Sequence, residues 1–234
     1  MGRTLRRRGA PWLRLPGVYR PQADTWLLGE VLGEAPFPPG ARVLDLCTGC
    51  GVLAAAAARA GAGEVAAVDA SRRAVLSATL NTRMRRLPVR TCRGDALELF
   101  RWSGFDAIVA NPPYMPRAEH GSGAELAGMC WDAGPDGRHF LDALGARAPE
   151  LLNERGTLLV VQSELSDADE TLRQMTRAGL KASIVARTIE PFGPIARARA
   201  GYLERIGVIE AGRRYEELVV IRADRAEQTD HVSV

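Results

Sequence analysis

The sequence predicts an α/β fold, a mostly parallel, seven-stranded sheet with helices on both faces. Three observations predict it. From residue 41 onward, short apolar runs alternate with longer stretches of helical period, the pattern of parallel strands joined by right-handed helical crossovers. The first run passes through a glycine-rich turn, Cys47-Thr48-Gly49-Cys50-Gly51, into an alanine-rich helix. Polar residues then close successive runs at Asp69, at Gly94-Asp95 and at Asn111-Pro112-Pro113-Tyr114, on the carboxyl edge where open α/β sheets bind ligands.

Taken in order, Asp24 or Thr25 is expected to cap a short amphipathic helix with Leu27, Leu28, Val31 and Leu32 on its apolar face, ended by Pro36, Pro38 and Pro39. Residues 41–46 read as the first buried strand and 52–60 as the following helix. A second strand over 65–68 ends in Asp69, and a helix capped by Ser71 runs to Met84 ahead of Pro88. Strands follow at 89–92 and 105–110. The irregular segment from Met115 to Ala133 has the length of a lid or binding element. Beyond Trp131-Asp132-Ala133-Gly134-Pro135-Asp136-Gly137-Arg138 come a helix to about Leu152, a turn at Asn153–Gly156, a strand over 157–162 and a helix over 167–178. Strands at 182–189 and 217–222 complete the sheet, with an Arg- and Gly-rich connection that periodicity leaves unassigned. The expected organisation is a basic arm over 1–17, one domain over 18–223 and a polar, frayed tail over 224–234.

Hydrophobic residues make up 46% and charged residues 25% of the chain, a globular composition, and no apolar run reaches membrane-spanning length. The net charge of +3 is modest. Lys181 is the sole lysine, so arginine abundance is a habit of the whole chain. Arg3, Arg6, Arg7, Arg8, Arg14 and Arg20 all precede the first acid, Asp24; this arm is either a solvated tail or a contact for RNA or the ribosome. With no secretory apolar region, the expected location is the cytoplasm. Cys47, Cys50, Cys92 and Cys130 lack the spacing of a metal centre, so no metal is expected. Cys47-Thr48-Gly49-Cys50 is formally a redox C-x-x-C at a helix start, but its glycines favour ligand binding.

Gly49, Gly51 and Ala54 fit the G-x-G-x-x-A pattern after a strand, and Asp69 stands where an acid grips a ribose diol. A dinucleotide site satisfies these as well. Asp45, inside the turn, argues otherwise, because an acid there repels a pyrophosphate and welcomes an amino group. Asp95 supplies an acid for an adenine amino group. In Asn111-Pro112-Pro113-Tyr114 the prolines fix the backbone, Asn111 Oδ1 and the Pro112 carbonyl form a pair of acceptors, and Tyr114 can lie against a planar group. The loop suits an NH2 on an sp2 system; the plainer alternative is a strand-ending turn.

This constellation resembles the class I S-adenosylmethionine-dependent methyltransferases, which share a Rossmann-like fold. It is most similar to the HemK family of protein-glutamine N5-methyltransferases, in the short form without an N-terminal helical domain. The carriers are Tyr19, Pro21, Asp24-Thr25 with Leu27-Leu28, Asp45 with Gly49 and Gly51, Asp69, Asp95, the 111–114 tetrapeptide and the 131–138 stretch. The tetrapeptide alone also marks DNA adenine methyltransferases. Cys47 departs from the family's usual first glycine, and Ala23 from a frequent acid. The resemblance implies S-adenosyl-L-methionine held by Thr25, Asp45, Gly49, Gly51, Asp69, Asp95 and Asn111, and transfer at Asn111, Pro112 and Tyr114. It implies a protein substrate, first among them a peptide-chain release factor, and a small activator protein as partner. The rival expectations are a nucleic-acid N6-adenine or N4-cytosine methyltransferase, a methyltransferase-fold protein without turnover, and a dinucleotide oxidoreductase.

Overall fold

The computed structural model describes residues 11–34, 37–95, 102–116 and 133–227. Its centre is a seven-stranded sheet in the order β3-β2-β1-β4-β5-β7-β6. The strands are β1 (Arg42–Leu46), β2 (Glu64–Asp69), β3 (Val89–Arg93), β4 (Phe105–Ala110), β5 (Leu152–Ser163), β6 (Leu180–Pro191) and β7 (Tyr215–Arg225). Pairs from β3 through β5 are parallel, and β7 runs antiparallel to both β5 and β6. The helices are α1 (Ala23–Glu34), α2 (Val52–Arg59), α3 (Arg72–Met84), α4 (His139–Leu151), α5 (Ala168–Arg177) and α6 (Pro194–Arg205), with a 3-10 turn over Glu164–Ser166.

Apolar layers cover both faces of the sheet. On one, Leu28 and Leu32 of α1 and Leu53, Ala54 and Ala57 of α2 pack against Val43, Ala107, Val109 and Val161. On the other, Phe140, Leu141 and Leu144 of α4 and Met175 of α5 pack against Leu44, Ile108, Leu158 and Ile221. Each Val, Leu, Ile, Phe or Met side chain so removed from water contributes about 1.5–3 kcal/mol, so burial on two faces explains why the strands read as continuous apolar runs.

The expected elements are present, with boundary changes that have local causes. Asp24 and Thr25 lie inside α1, where both are buried, and neither stands before it as a cap. Ser71 does cap α3, accepting from Ala74 N at 3.4 Å. The turn expected at Asn153–Gly156 is an irregularity within β5: Arg155 has φ 60° and the register against β4 shifts between Phe105 and Ala107. β7 runs to Arg225, past the expected start of the tail. The unassigned connection contains α6, whose Ala196, Ala200 and Leu203 bury with Phe192, Leu165 and Met115 in a separate small core.

The arm is not a free tail over the residues described. Leu13 N donates to Asn81 Oδ1 at 2.8 Å, and Asn81 Nδ2 returns a bond to Leu13 O at 2.8 Å. Leu15 N donates to Ser77 Oγ at 3.2 Å, and Arg85 lies 4.0 Å over the Trp12 ring. Residues 11–17 therefore belong structurally with α3. Arg3, Arg6, Arg7 and Arg8 lie outside the described residues, as do Pro36, His120, Cys130, Trp131, Asp132 and most of the 115–133 segment.

Candidate active site

Parallel strands β1, β2 and β4 end at one edge of the sheet. Above them lies a cavity of about 440 Å³, lined by the glycine turn and Asp69 at one end and by residues 111–115 with β6, α6 and the start of β7 at the other. The glycine-turn end has the shape expected of a cofactor cradle. Gly49 (φ 55°) and Gly51 (φ 85°) take left-handed backbone, which glycine adopts without strain. A Cβ at Gly49 would meet nothing within 4 Å, so the space over it is open to a ligand. A Cβ at Gly51 would press on Ala78 Cα at 3.0 Å; this glycine is needed for packing against α3. Cys47 also has left-handed backbone (φ 58°), a conformation costing a non-glycine residue of the order of 1–3 kcal/mol.

Asp69 faces this end of the cavity. Its Oδ2 accepts from Gly49 N and its Oδ1 from Ser71 N, both at 2.9 Å, so it holds the loop in place while each oxygen keeps a lone pair for a hydroxyl donor. Burial raises its carboxyl above the ordinary range, and the two amides oppose that rise.

Asp45 is placed otherwise than expected. It is wholly buried beneath the turn and does not line the cavity. Its Oδ2 accepts from Thr48 Oγ1 at 2.6 Å and Ala54 N at 2.8 Å, which shapes the turn and starts α2. Its Oδ1 has no partner among the described residues. Burial pushes its carboxyl up to about 7. Asp95 is exposed at the end of β3 and stands apart from the cavity lining. Cys50 is buried and its thiol is pushed up to about 11 by burial.

The other end is organised by Asp24. Its Oδ2 accepts from the hydroxyls of Tyr19 at 2.6 Å and Tyr114 at 3.1 Å. Its Oδ1 accepts from Thr25 N at 2.5 Å and Thr25 Oγ1 at 3.1 Å. Burial, reinforced by Asp24, holds both tyrosines protonated well above their ordinary range. Thr25, having given its proton to Asp24, can only accept from Asn111, and Asn111 Nδ2 donates to it at 3.2 Å. The chain of donors thus fixes which way the carboxamide points: nitrogen to Thr25, with Oδ1 accepting from no donor among the described residues. Thr25 does not line the cavity, and its hydroxyl oxygen holds Asn111.

The tetrapeptide is clamped from behind as well. Tyr114 O accepts from Ser166 Oγ, and a Cβ at Gly137 would run into the same oxygen. Arg199 of α6 donates to Met115 O at 2.7 Å and Pro116 O at 3.1 Å. Arg138 is buried and donates to Ser166 O at 2.5 Å, Asp167 O at 2.6 Å and Asp142 Oδ1 at 2.8 Å. The described part of the 131–138 stretch is therefore a brace under the tetrapeptide.

Residues 14–126 match the family model of the methyltransferase small domain. Over 177 residues, 76% of this chain and 88% of the relative, the sequence is 31% identical to a protein of Methanocaldococcus jannaschii named provisionally as a protein N5-glutamine methyltransferase. It is 30% identical to the release factor glutamine methyltransferase of Geobacter sulfurreducens over 205 residues, 82% of this chain and 69% of that one. The chain belongs to the HemK family of class I methyltransferases. Among solved structures, the Mtq2–Trm112 complex of E. cuniculi, which methylates the termination factor eRF1, superposes with a TM-score of 0.62 at 21% identity, covering 90% of this chain and 99% of that one. The seven-stranded sheet is thus that of the Rossmann-like methyltransferases, and S-adenosylmethionine is the cofactor.

Two outcomes test this geometry. Thr25→Val should lower kcat about tenfold or more, the loss of one orienting hydrogen bond of roughly 1.5 kcal/mol, with S-adenosylhomocysteine affinity unchanged by calorimetry; Thr25→Ser should restore it. Equal damage from both substitutions would assign Thr25 to packing. For Asp45, a folded-state pKa raised to about 7 means that the native protein binds more protons than the unfolded chain between about pH 4 and 7. Stability from this group therefore falls as pH rises through that window, by up to about 1.4 kcal/mol per pH unit. Urea midpoints of Asp45→Asn, compared with those of the unaltered protein at each pH, should lack that decline.

Proposed function

We propose that this methyltransferase modifies the side-chain amide of a glutamine in a protein, with a peptide-chain release factor as its substrate. The observation that carries the reading is the orientation of Asn111. Its nitrogen is tied to Thr25, which leaves Oδ1 to take one N–H of a planar NH2, with the Pro112 carbonyl proposed as the second acceptor. The relatives named for glutamine methylation favour a carboxamide over a nucleobase as the owner of that NH2. A small activator partner, as in the E. cuniculi complex, belongs to the same proposal. So does a contact of Arg3, Arg6, Arg7 and Arg8 with RNA or the ribosome, which rests on their charge.

The cofactor site fits the residues present. Gly49 leaves open space for close approach, and Asp69 offers lone pairs to a ribose diol. The bound cofactor supplies an electrophilic methyl group on sulfur. An amide nitrogen is a weak nucleophile because its lone pair is shared with the carbonyl. Acceptance of its N–H groups by Asn111 Oδ1 and the Pro112 carbonyl returns electron density to nitrogen and fixes its direction. Tyr114, held by Asp24, walls the same space. Positioning of this kind contributes about 7–11 kcal/mol to lowering a barrier. Among the described residues no helix is long and apolar enough to cross a membrane.

Incubation of a lysate with the enzyme and methyl-tritiated S-adenosylmethionine should label a protein band of release-factor size that survives nuclease. Label confined to nuclease-sensitive methyladenine or methylcytosine would transfer the case to a nucleic-acid substrate. Asn111→Ala should bind S-adenosylhomocysteine normally and lose at least about 10²-fold in kcat, since the interaction matters most in the transition state.

A further inference from the structure

The two carbonyls that hold the amide under the glutamine reading accept N–H groups but are too weakly basic to keep a proton. A nitrogen that takes a methyl group must shed one of its protons, so an acceptor is wanted at that end of the cavity. Among the described residues, four carboxylates line it: Asp24, Asp69, Glu190 and Glu216. Asp69 sits at the glycine-turn end and Asp24 already accepts from Tyr19, Tyr114 and Thr25. Glu190 is half-buried and accepts from Thr188 Oγ1 at 3.4 Å.

Glu216 differs from all three. It stands near the start of β7, which lies next to β5, itself the neighbour of β4, the strand that Asn111 follows. Its residue exposure is only 6%, and Oε2 has no hydrogen-bond partner among the described residues. A buried oxygen left without a donor calls for an explanation, and completion by a ligand is one. Ser163 and the Gly193 N–H support the carboxyl group from the protein side.

We propose that Glu216 is the proton acceptor of the methyl transfer. The nitrogen–carbon bond forms as the carbon–sulfur bond gives its electron pair to sulfur, and the N–H proton passes to Glu216 Oε2, directly or through one water. This rests on the glutamine reading and adds to it a residue that the sequence pattern did not single out. The groups around Glu216 are the carboxylates of Asp24 on α1, Glu164 in the 3-10 turn and its strand partner Glu190 on β6, and the hydroxyls of Tyr19 and Tyr114, with Arg197 and Arg199 of α6 lining the same cavity. Burial raises its carboxyl above the ordinary range, and Asp24 and Glu164 reinforce the rise against Ser163 and Gly193. A carboxylate so raised is a better base near neutral pH.

The test uses the full chain with S-adenosylmethionine and a release-factor peptide spanning the labelled glutamine. Glu216→Gln should lower kcat by about 10²-fold or more and abolish the fall in kcat toward acid pH. Calorimetry should show S-adenosylhomocysteine affinity, and peptide affinity for that complex, within about twofold of the unaltered enzyme. Glu216→Asp should retain the acid limb with a smaller loss of kcat. An unchanged kcat and pH profile in Glu216→Gln would overturn the assignment, as would loss of folding or of both affinities in the two variants. Failure of the unaltered enzyme to label any glutamine sinks the underlying reading, a result separate from either of these.

Discussion

One carboxylate, that of Asp24, joins the parts that have to meet. Its two oxygens take the hydroxyls of Tyr19 and Tyr114 and both donors of Thr25. Those groups come from the segment before α1, from α1 itself and from the loop after β4, which lies 90 residues from Asp24 in sequence. Buried, such a charge is tolerable only when donors surround it, and the Tyr19 hydroxyl is itself steadied by Gln22 Nε2 at 2.9 Å. The constraint is mutual, which is why the opening Tyr-x-Pro-x-x-Asp-Thr and the tetrapeptide need one another. Its consequence for chemistry runs through Thr25 to the carboxamide of Asn111.

Orientation from one side would be worth little if the loop could drift on the other. Arg199, Ser166 and the bare backbone of Gly137 confine residues 114–116, and Arg138 secures the Ser166 turn. The prolines stiffen the tetrapeptide locally, while these contacts fix where the stiff piece sits. Preorganised acceptors act without reorganising as charge develops, and that makes a rigid frame useful for a weak nucleophile.

The sheet was legible because its strands are buried on both faces and read as unbroken apolar runs, and the glycine turn because left-handed backbone demands glycine at 49 and 51. Helix α6 was not, since its inward face is Ala196, Ala200 and Leu203 interleaved with Arg197, Arg199 and Arg205, a weak stripe of small residues. Trp12, Leu13 and Leu15 were hidden among arginines, yet they dock the arm on α3. Asp45 turns its carboxylate to Thr48 and the Ala54 amide beneath the turn, and residue type does not reveal whether a turn acid faces ligand or backbone. Glu216 precedes Glu217 at the start of a strand, where alternation sends one inward and leaves the other with Arg187.

These placements give the cavity a polarity opposed to that of the chain. The protein carries a formal +3, but Asp24, Asp69 and Glu216 face inward while Arg197 and Arg199 stand on the α6 wall. A nucleic acid would bring phosphates toward buried carboxylates, with no counterions to release from them. A neutral carboxamide carries its own dipole, with two donors at nitrogen and an acceptor at oxygen. It can set its N–H groups toward the acids and carbonyls and its oxygen toward the arginine side without bringing a net charge into the site. A cationic methyl donor is favoured by the same negative field. The distribution of charge in the cavity therefore agrees with a positive cofactor and a neutral, planar acceptor, which is the pairing that methylation of a glutamine side chain requires.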